Sequence, residues 1–242
     1  MPNVMGARAI LPLAAVLAMG LTGTAQAVQI NGTPGNDRIR GTRGGDQIDA
    51  LAGDDRVGAR SGPDTVNGGE GLDRIWGGRG ADLLHGGIGA DRLWGGPGDD
   101  QSWGEDGDDL MGGGWGDDRQ DGGPGNDVIY AGRGRDESWG GDGNDTLWAL
   151  ARRDVQGPND TLGDVLHGGP GDDTFKTRDG EADTIDCGPG VDTALLDFKD
   201  VIADATPQNP NGSCEVVNRK HRRNSDKTEE TDPAEDVGTP TT

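Results

Sequence analysis

A nine-residue period constrains this chain more than any other feature of its sequence. From Asn31 onward the pattern x-G-G-x-G-x-D-x-φ repeats, where φ is apolar, and aspartate holds the seventh place in fourteen consecutive units. Glycine holds the fifth place in thirteen consecutive units, from Gly35 to Gly143, and first fails at Arg152. A fixed period of this kind is typical of repeat architectures, in which each unit stacks on its neighbours.

The spacing within the unit predicts short strands joined by tight turns. Six residues rich in glycine and aspartate suit a turn with positive φ angles, and the other three make a minimal strand whose ninth-place side chain points inward. Two units complete a coil of 18 residues, so aspartates 18 apart form two rows, one along each edge of the stack. A one-residue insertion near Gly157 shifts the phase to Asp164 and Asp173, and a second insertion precedes Asp183 and Asp192.

The composition indicates that an apolar core alone cannot stabilise the stack. Hydrophobic residues make up 30% of the chain and aromatic residues 4%, while the formal net charge is −22. Such a composition alone favours disorder, and the regular repeat argues against it. The charge also disfavours nucleic-acid binding and anionic membrane surfaces, and it points to cations as partners.

Calcium is the cation that these rows predict. Carboxylates spaced by one strand separation repel one another unless they are neutralised. Calcium accepts six to eight oxygen ligands in flexible geometry, including turn carbonyls, whereas magnesium prefers a strict octahedron. Zinc does not fit, because the three histidines are scattered and the two cysteines are expected to pair.

The repeats resemble the RTX-type, or hemolysin-type, calcium-binding nonapeptide repeat. Units such as Gly77 to Asp82, Gly86 to Asp91, Gly95 to Asp100 and Gly122 to Asp127 match its consensus closely. The resemblance implies an all-β fold, a right-handed parallel β-roll with two repeats per coil, and calcium held between successive turns by carboxylates and turn carbonyls. The implied ligands are Asp37, Asp46, Asp55, Asp64, Asp73, Asp82, Asp91, Asp100, Asp109, Asp118, Asp127, Asp136, Asp145, Asp154, Asp164, Asp173, Asp183 and Asp192. If every gap of the regular repeats is filled, about twelve Ca²⁺ bind, and folding is coupled to binding.

We expect no catalytic activity from this chain. It contains neither a His-Glu-x-x-His stretch nor a Gly-x-Ser-x-Gly elbow, and we expect no toxin, protease or lipase domain ahead of the repeats. Carboxylate pairs such as Asp99-Asp100 could suggest a glycosidase, but their recurrence at the repeat period favours metal binding.

An outward-facing aromatic row is the one feature that calcium does not explain. Trp76, Trp94, Tyr130 and Trp148 recur at the first place of the unit, interrupted by Gly112, and should stack along one outer sheet. Two interpretations remain open: cross-strand packing that stabilises the sheet, or a stacking face for a glycan or protein. On the opposite sheet Trp103 and Trp139 accompany the polar inward residues Ser102 and Ser138, and could turn inward there.

The two ends of the chain predict export and a closed solenoid. Residues 1–27 read as a signal peptide, with Arg8, an apolar run and the cleavage pattern Ala25-Gln26-Ala27. Residues 28–194 form the repeats, 195–217 a C-terminal cap, and 218–242 a tail whose charge favours disorder, with attachment to a wall polymer as the alternative. In an exported chain, the pair Cys187 and Cys214 predicts a disulfide.

These observations leave two classes of function. The first is a secreted, monomeric calcium-binding protein that acts as an extracellular structural or adhesive module. The second is a calcium-dependent module that binds a cell-wall glycan or another extracellular protein through the aromatic row. No membrane insertion is expected, because the single apolar run near the N-terminus is short and contains Pro12.

Overall fold

The structure is a computed structural model, and it describes residues 27–149, 163–206, 208–209 and 211–220. The predicted signal segment, apart from Ala27, and the predicted tail beyond Lys220 lie outside this part of the chain. None of the described residues forms a helix long and apolar enough to cross a membrane.

Twenty short strands follow one another along the described chain. They are β1 Gln29–Asn31, β2 Arg38–Arg40, β3 Gln47–Asp49, β4 Arg56–Ser61, β5 Thr65–Glu70, β6 Arg74–Arg79, β7 Leu83–Ile88, β8 Arg92–Pro97, β9 Gln101–Asp106, β10 Leu110–Trp115, β11 Arg119–Pro124, β12 Val128–Arg133, β13 Glu137–Asp142, β14 Thr146–Trp148, β15 Val165–His167, β16 Thr174–Thr177, β17 Thr184–Asp186, β18 Thr193–Leu196, β19 Val201–Ile202 and β20 Val216–Arg219.

The strands alternate between two parallel ten-stranded sheets. Odd-numbered strands form the first sheet and even-numbered strands the second, each in chain order. In the regular part each strand pairs with the strand two units later, as Ile30 does with Ile48 and Ile39 with Val57. This register confirms two repeats per coil, and the fold is the all-β parallel solenoid that the period predicts.

The core consists of two adjacent columns of side chains, one from each sheet, packed between the sheets. It contains the ninth-place residues, which are buried in nearly every coil while their neighbours on the same strand face outward. The buried apolar members are Ile30, Ile39, Ile48, Val57, Val66, Ile75, Leu84, Leu93, Met111, Ile129, Leu147, Leu166, Phe175, Ile185, Ala194 and Ile202. Most strands contribute one large apolar side chain to this core, which is little compared with an ordinary domain core. The backbone hydrogen bonds between coils and the turns must therefore contribute much of the cohesion.

Three adjacent odd-numbered strands carry polar residues in this column. Ser102, Gln120 and Ser138 are all at most 2% exposed, and the Ser138 hydroxyl donates to Gln120 Oε1 at 3.2 Å. Trp103 and Trp139 do not turn inward above them. They stand on the outer face, where Trp103 stacks on His85 and Trp139 on His167. The possibility of inward-turned tryptophans is therefore wrong, because the side chain next to an inward residue on a strand points to the opposite face.

The segment after β14 interrupts the coil. Trp139 on β13 pairs with His167 on β15, and Trp148 on β14 pairs with Lys176 on β16, so the 18-residue offset becomes 28 here. Asp154 falls within this segment and outside the described residues. The described strands on either side of it pair directly with one another.

The last strands and a disulfide close the C-terminal end. β19 pairs with β17, and β20 pairs with β18, which completes each sheet. Cys187 follows β17 and Cys214 precedes β20, and the two form a disulfide with their Cα atoms 5.3 Å apart. Both cysteines are buried, so the predicted bridge is confirmed and lies inside the final coils.

Candidate metal centre

The seventh-place aspartates form two continuous ladders. Each backbone N–H donates to Oδ1 of the aspartate one coil later, at 2.6 Å from Asp37 to Asp55 and at 2.8 Å from Asp82 to Asp100. One ladder contains Asp37, Asp55, Asp73, Asp91, Asp109, Asp127, Asp145, Asp173 and Asp192. The other contains Asp46, Asp64, Asp82, Asp100, Asp118, Asp136, Asp164 and Asp183. The described ladder passes from Asp136 to Asp164, where the sequence phase predicts Asp154.

The second carboxylate oxygen has no such partner along most of both ladders. Oδ2 is buried without a hydrogen bond in Asp55, Asp64, Asp73, Asp82, Asp91, Asp100, Asp109, Asp118, Asp127, Asp145, Asp173, Asp183 and Asp192. A buried anionic oxygen without a partner is costly, because it has lost water and received nothing in exchange. A recurring set of such oxygens offers a row of ligands to cations.

Backbone carbonyls supply further oxygens beside these carboxylates. Asp73 Oδ2 and the Gly86 carbonyl oxygen would each lie 2.5 Å from a Cβ placed on Gly68, and Asp91 Oδ2 and the Gly104 carbonyl would each lie 2.7 Å from one on Gly86. At these two units the glycine at the second place leaves this space open, whereas a few other units have alanine there, as at Ala59 and Ala131. No group of three His, Cys, Asp or Glu side chains in the described residues could hold a metal by itself. An ion held here would therefore need backbone carbonyls among its ligands, and calcium accepts them readily.

The first aspartate of each ladder differs from the rest. Asp37 Oδ2 accepts hydrogen bonds from the Thr33 backbone N–H at 2.5 Å and from the Thr33 hydroxyl at 2.9 Å. Asp46 Oδ2 likewise accepts a hydrogen bond from the Thr42 backbone N–H, while the Thr42 hydroxyl donates to Asp46 Oδ1. Threonine at the third place of these two units thus satisfies the carboxylates that begin the ladders.

Two acidic residues outside the nine-residue phase end the ladders at the other end. Asp192 N–H donates to Glu215 Oε2 at 2.8 Å, and Asp183 N–H donates to Asp200 Oδ1 at 3.4 Å. The repeat pattern does not predict either residue, because both follow the last in-phase unit. In the sequence, these two residues stand out only as acidic residues within the predicted cap.

Burial and like-charge neighbours make the metal-free carboxylates resist ionisation. Burial raises the pKa of Asp64, Asp91 and Asp100 to about 7, although the backbone hydrogen bond to each acts in the opposite direction. Burial raises the pKa of Asp127 to about 8 and that of Asp118 to about 9, and aspartates one coil away add to both effects. At these five aspartates protons therefore compete with cations near neutral pH.

Acidification should have opposite effects on the metal-free and the calcium-loaded protein. A carboxylate whose folded pKa lies above its unfolded value near 3.8 stabilises the fold below that value, and this contribution is lost as pH rises through the folded pKa. Without calcium, β-structure should increase as the pH falls from about 8 to about 5. With millimolar calcium, protons compete with the ions, so the same change should lower the midpoint of thermal unfolding.

Circular dichroism at each pH, with EDTA or with calcium, measures this reversal. Unfolding with guanidine of the structure that remains in EDTA gives an independent measure of the stability of the calcium-free protein. A midpoint that moves in the same direction with pH under both conditions would contradict the assignment of the ladder carboxylates as the titrating groups.

The predicted aromatic row lies on the second sheet as two separate pairs. Trp76 stacks on Trp94 with ring centroids 5.3 Å apart, and Tyr130 stacks on Trp148 at 5.6 Å. Gly112 lies between the pairs, Trp94 is only 6% exposed, and Lys176 Nζ lies 3.8 Å above the Trp148 ring. Within each pair, one face of each ring is covered by its neighbour, as expected for packing that stabilises the sheet. A ligand role for this row stays a prediction.

Comparison with known proteins identifies the repeat. A family model described as the RTX calcium-binding nonapeptide repeat matches residues 31–66, 58–93, 76–111, 85–120, 112–147 and 159–194. These stretches cover more than half of the chain, and the chain belongs to this family of calcium-binding repeats. A search of curated proteins finds none that matches the chain.

Proposed function

We propose that this protein is a secreted calcium-binding solenoid whose seventh-place aspartates hold Ca²⁺ between successive coils, and that it serves as an extracellular structural or adhesive module. The observation that carries the proposal is the recurrence of buried, unpartnered Oδ2 atoms beside glycine carbonyls along both edges. Membership of the RTX repeat family supports calcium as the ion.

Charge supports the coupling of folding to binding. The 44 acidic residues outnumber the 22 basic ones, and the ladders place many carboxylates one coil apart in a largely dry environment. Like charges at that spacing oppose folding, and divalent cations between them reverse the sign of the interaction. Calcium would therefore contribute to the fold itself, rather than occupy a site on a fold that is already stable.

Secretion is supported by the disulfide and by the predicted signal peptide. Disulfides persist in oxidising compartments and are rare in the cytosol, and Cys187 and Cys214 are bonded in this structure. Export with cleavage after Ala27 would give a mature protein that begins at Val28, which mass spectrometry of the culture medium would detect. The match to a repeat family along most of the solenoid supports a structural role.

Isothermal titration calorimetry of residues 28–242 with CaCl₂ tests the binding proposal. We expect ten or more ions per chain, because the regular repeats offer about twelve inter-coil gaps, or about eleven without the unit of Asp154. Titration with MgCl₂ is the control and should give a much smaller response. A stoichiometry of one or two calcium ions would contradict binding along the ladders.

Matched aspartate variants distinguish the ladders from the other carboxylates. Asp100→Asn and Asp99→Asn each replace a carboxylate by an amide at neighbouring positions. Asp100 is buried in a ladder, whereas Asp99 faces solvent. We expect Asp100→Asn alone to lower the calcium stoichiometry and the cooperativity of folding. Equal effects of the two variants would contradict the assignment.

A further inference from the structure

The outer face of the first sheet carries a slot whose two walls are tryptophan rings. Trp103 on β9 and Trp139 on β13 flank Asp121 on β11, and the three residues are paired across neighbouring strands. The cavity at the slot has a volume of about 430 Å³, opens to solvent, is also lined by Gln101 and Arg119, and extends past Trp139 to His167. It lies on the opposite sheet from the row of Trp76, Trp94, Tyr130 and Trp148 and is separate from both aspartate ladders.

A histidine ring stacks on one face of each tryptophan and fixes its orientation. His85 covers one face of Trp103, with ring centroids 4.6 Å apart and planes 9° from parallel. His167 covers one face of Trp139 at 5.4 Å and 7°. His85 Nδ1 in turn lies 2.9 Å from Glu105 Oε1, and His167 Nδ1 lies 3.6 Å from Asp186 Oδ2. The uncovered faces of the two tryptophans therefore look at each other across Asp121.

The width of the slot selects the size of its occupant. The walls are two strands apart, which is about 9.6 Å at the usual strand spacing. A flat ring that stacks on both walls would need the walls to be only about 7 Å apart. A tetrahedral ammonium group midway between walls about 9.6 Å apart would lie about 4.8 Å from each ring, within the range of a cation–π contact.

The charge of the slot favours a cation. Asp121 is half-buried between the walls. Burial raises its pKa and so disfavours the charged carboxylate, whereas the backbone hydrogen bond from Gly123, like a cation bound beside it, favours the charged form. The adjacent Arg119 directs its Nε to Glu137 Oε2 at 3.3 Å, so part of its charge is already neutralised. The protein also places its own cations over tryptophan elsewhere, with Arg133 4.8 Å from the centre of Trp115 and Lys176 over Trp148.

The core beneath the slot gives independent support. The strands that carry Trp103, Asp121 and Trp139 are the same three whose inward residues are Ser102, Gln120 and Ser138. Ser102 Oγ and Gln120 Nε2 are buried without hydrogen-bond partners, which weakens these coils relative to their neighbours. A departure from the optimal core at one place in a repeat array is typical of a site that is retained for function.

We propose that the slot between Trp103 and Trp139 binds an organic ammonium cation of the size of a trimethylammonium group, with Asp121 as its counter-ion. The two indole faces supply the cation–π contacts, and the carboxylate supplies the charge at the floor. The site goes beyond calcium binding, and it requires the folded coils.

Titration with tetramethylammonium chloride, followed by tryptophan fluorescence in saturating calcium, tests the proposal. We expect saturable binding, at least tenfold weaker binding to Asp121→Asn, and loss of binding to Trp139→Leu. Trp115→Leu is the matched control, because it removes an exposed tryptophan from the other sheet and should leave binding unchanged. Circular dichroism of each variant confirms that it still folds with calcium, which separates failure of the slot from failure of the calcium-bound fold.

Two further titrations define the ligand class and its source. Choline chloride and vesicles of phosphatidylcholine present the same ammonium group in soluble and membrane-borne form, and binding of either supports the proposal. No saturation by tetramethylammonium up to about 50 mM, which corresponds to a binding free energy of only about −2 kcal/mol, would overturn it. Equal binding by wild type and Trp139→Leu, or binding of glucose in place of the cation, would also overturn it.

Discussion

Removing calcium is expected to abolish most of the β-structure of this protein. At a Kd of about 10⁻⁴ M and a calcium concentration of about 10⁻³ M, each independent site stabilises the folded state by about 1.4 kcal/mol. Ten filled sites would contribute about 14 kcal/mol, as much as the total stability of a typical domain. Most strands contribute only one large apolar side chain to the core, and β9, β11 and β13 contribute none, so the core cannot replace that contribution.

Far-UV circular dichroism in EDTA and after the return of calcium measures this effect. The β-sheet signal should disappear in EDTA, return cooperatively with millimolar calcium, and return only weakly with magnesium at the same concentration. The disulfide between Cys187 and Cys214 stays intact throughout, so refolding should be complete. An unchanged spectrum in EDTA would show that the coils hold together without the ions.

The second large effect is expected from Gly98→Ala. Gly98 has φ +149°, and a Cβ there would lie against the carbonyl oxygen and carbon of Gly80 in the adjacent coil. An alanine must adopt a strained backbone conformation and also push two coils apart at a turn beside Asp100. We expect a loss of about 3 kcal/mol or more in the free energy of unfolding, from strain and overpacking together.

Gly58→Ala is the matched control for this substitution. Gly58 lies on β4 at an outward position, and a Cβ there would have nothing within 4 Å. Because alanine also restricts the unfolded chain, this variant should be neutral or more stable by up to about 1 kcal/mol. Urea unfolding at fixed calcium measures both variants, and similar losses at the two positions would contradict the close packing of turns between coils.

The period of the sequence predicts the architecture because both ladders and both sheets follow from it. An offset of 18 residues brings Ile30 beside Ile48 and Asp37 beside Asp55, as observed. The phase does not predict that the ladder passes directly from Asp136 to Asp164, because Asp154 keeps the seventh place between them. The one irregularity that the sequence shows near this point is the first loss of the fifth-place glycine, at Arg152.

Other features depend on contacts that a repeat pattern does not describe. Leu51, Arg60 and Glu105 occupy the third place of their units with positive φ, although the consensus has glycine there. Neighbouring coils impose this conformation, so the turn shape survives without the favoured residue. Glu215 and Asp200 extend the ladders only because the cap folds back onto the last coils. The slot around Asp121 likewise arises from three outward residues on separate coils, which no single unit contains.

Anomalous X-ray diffraction from crystals grown in millimolar calcium tests the central claim most directly. The account predicts anomalous peaks in two rows, one along each edge, each peak lying between carboxylates of successive coils such as Asp73 and Asp91 or Asp82 and Asp100. Each ion should be coordinated by Oδ2 atoms and glycine carbonyls at 2.3–2.6 Å, the usual range for calcium. Ladders with water at these positions and no anomalous signal would contradict calcium as the ion that holds the coils together.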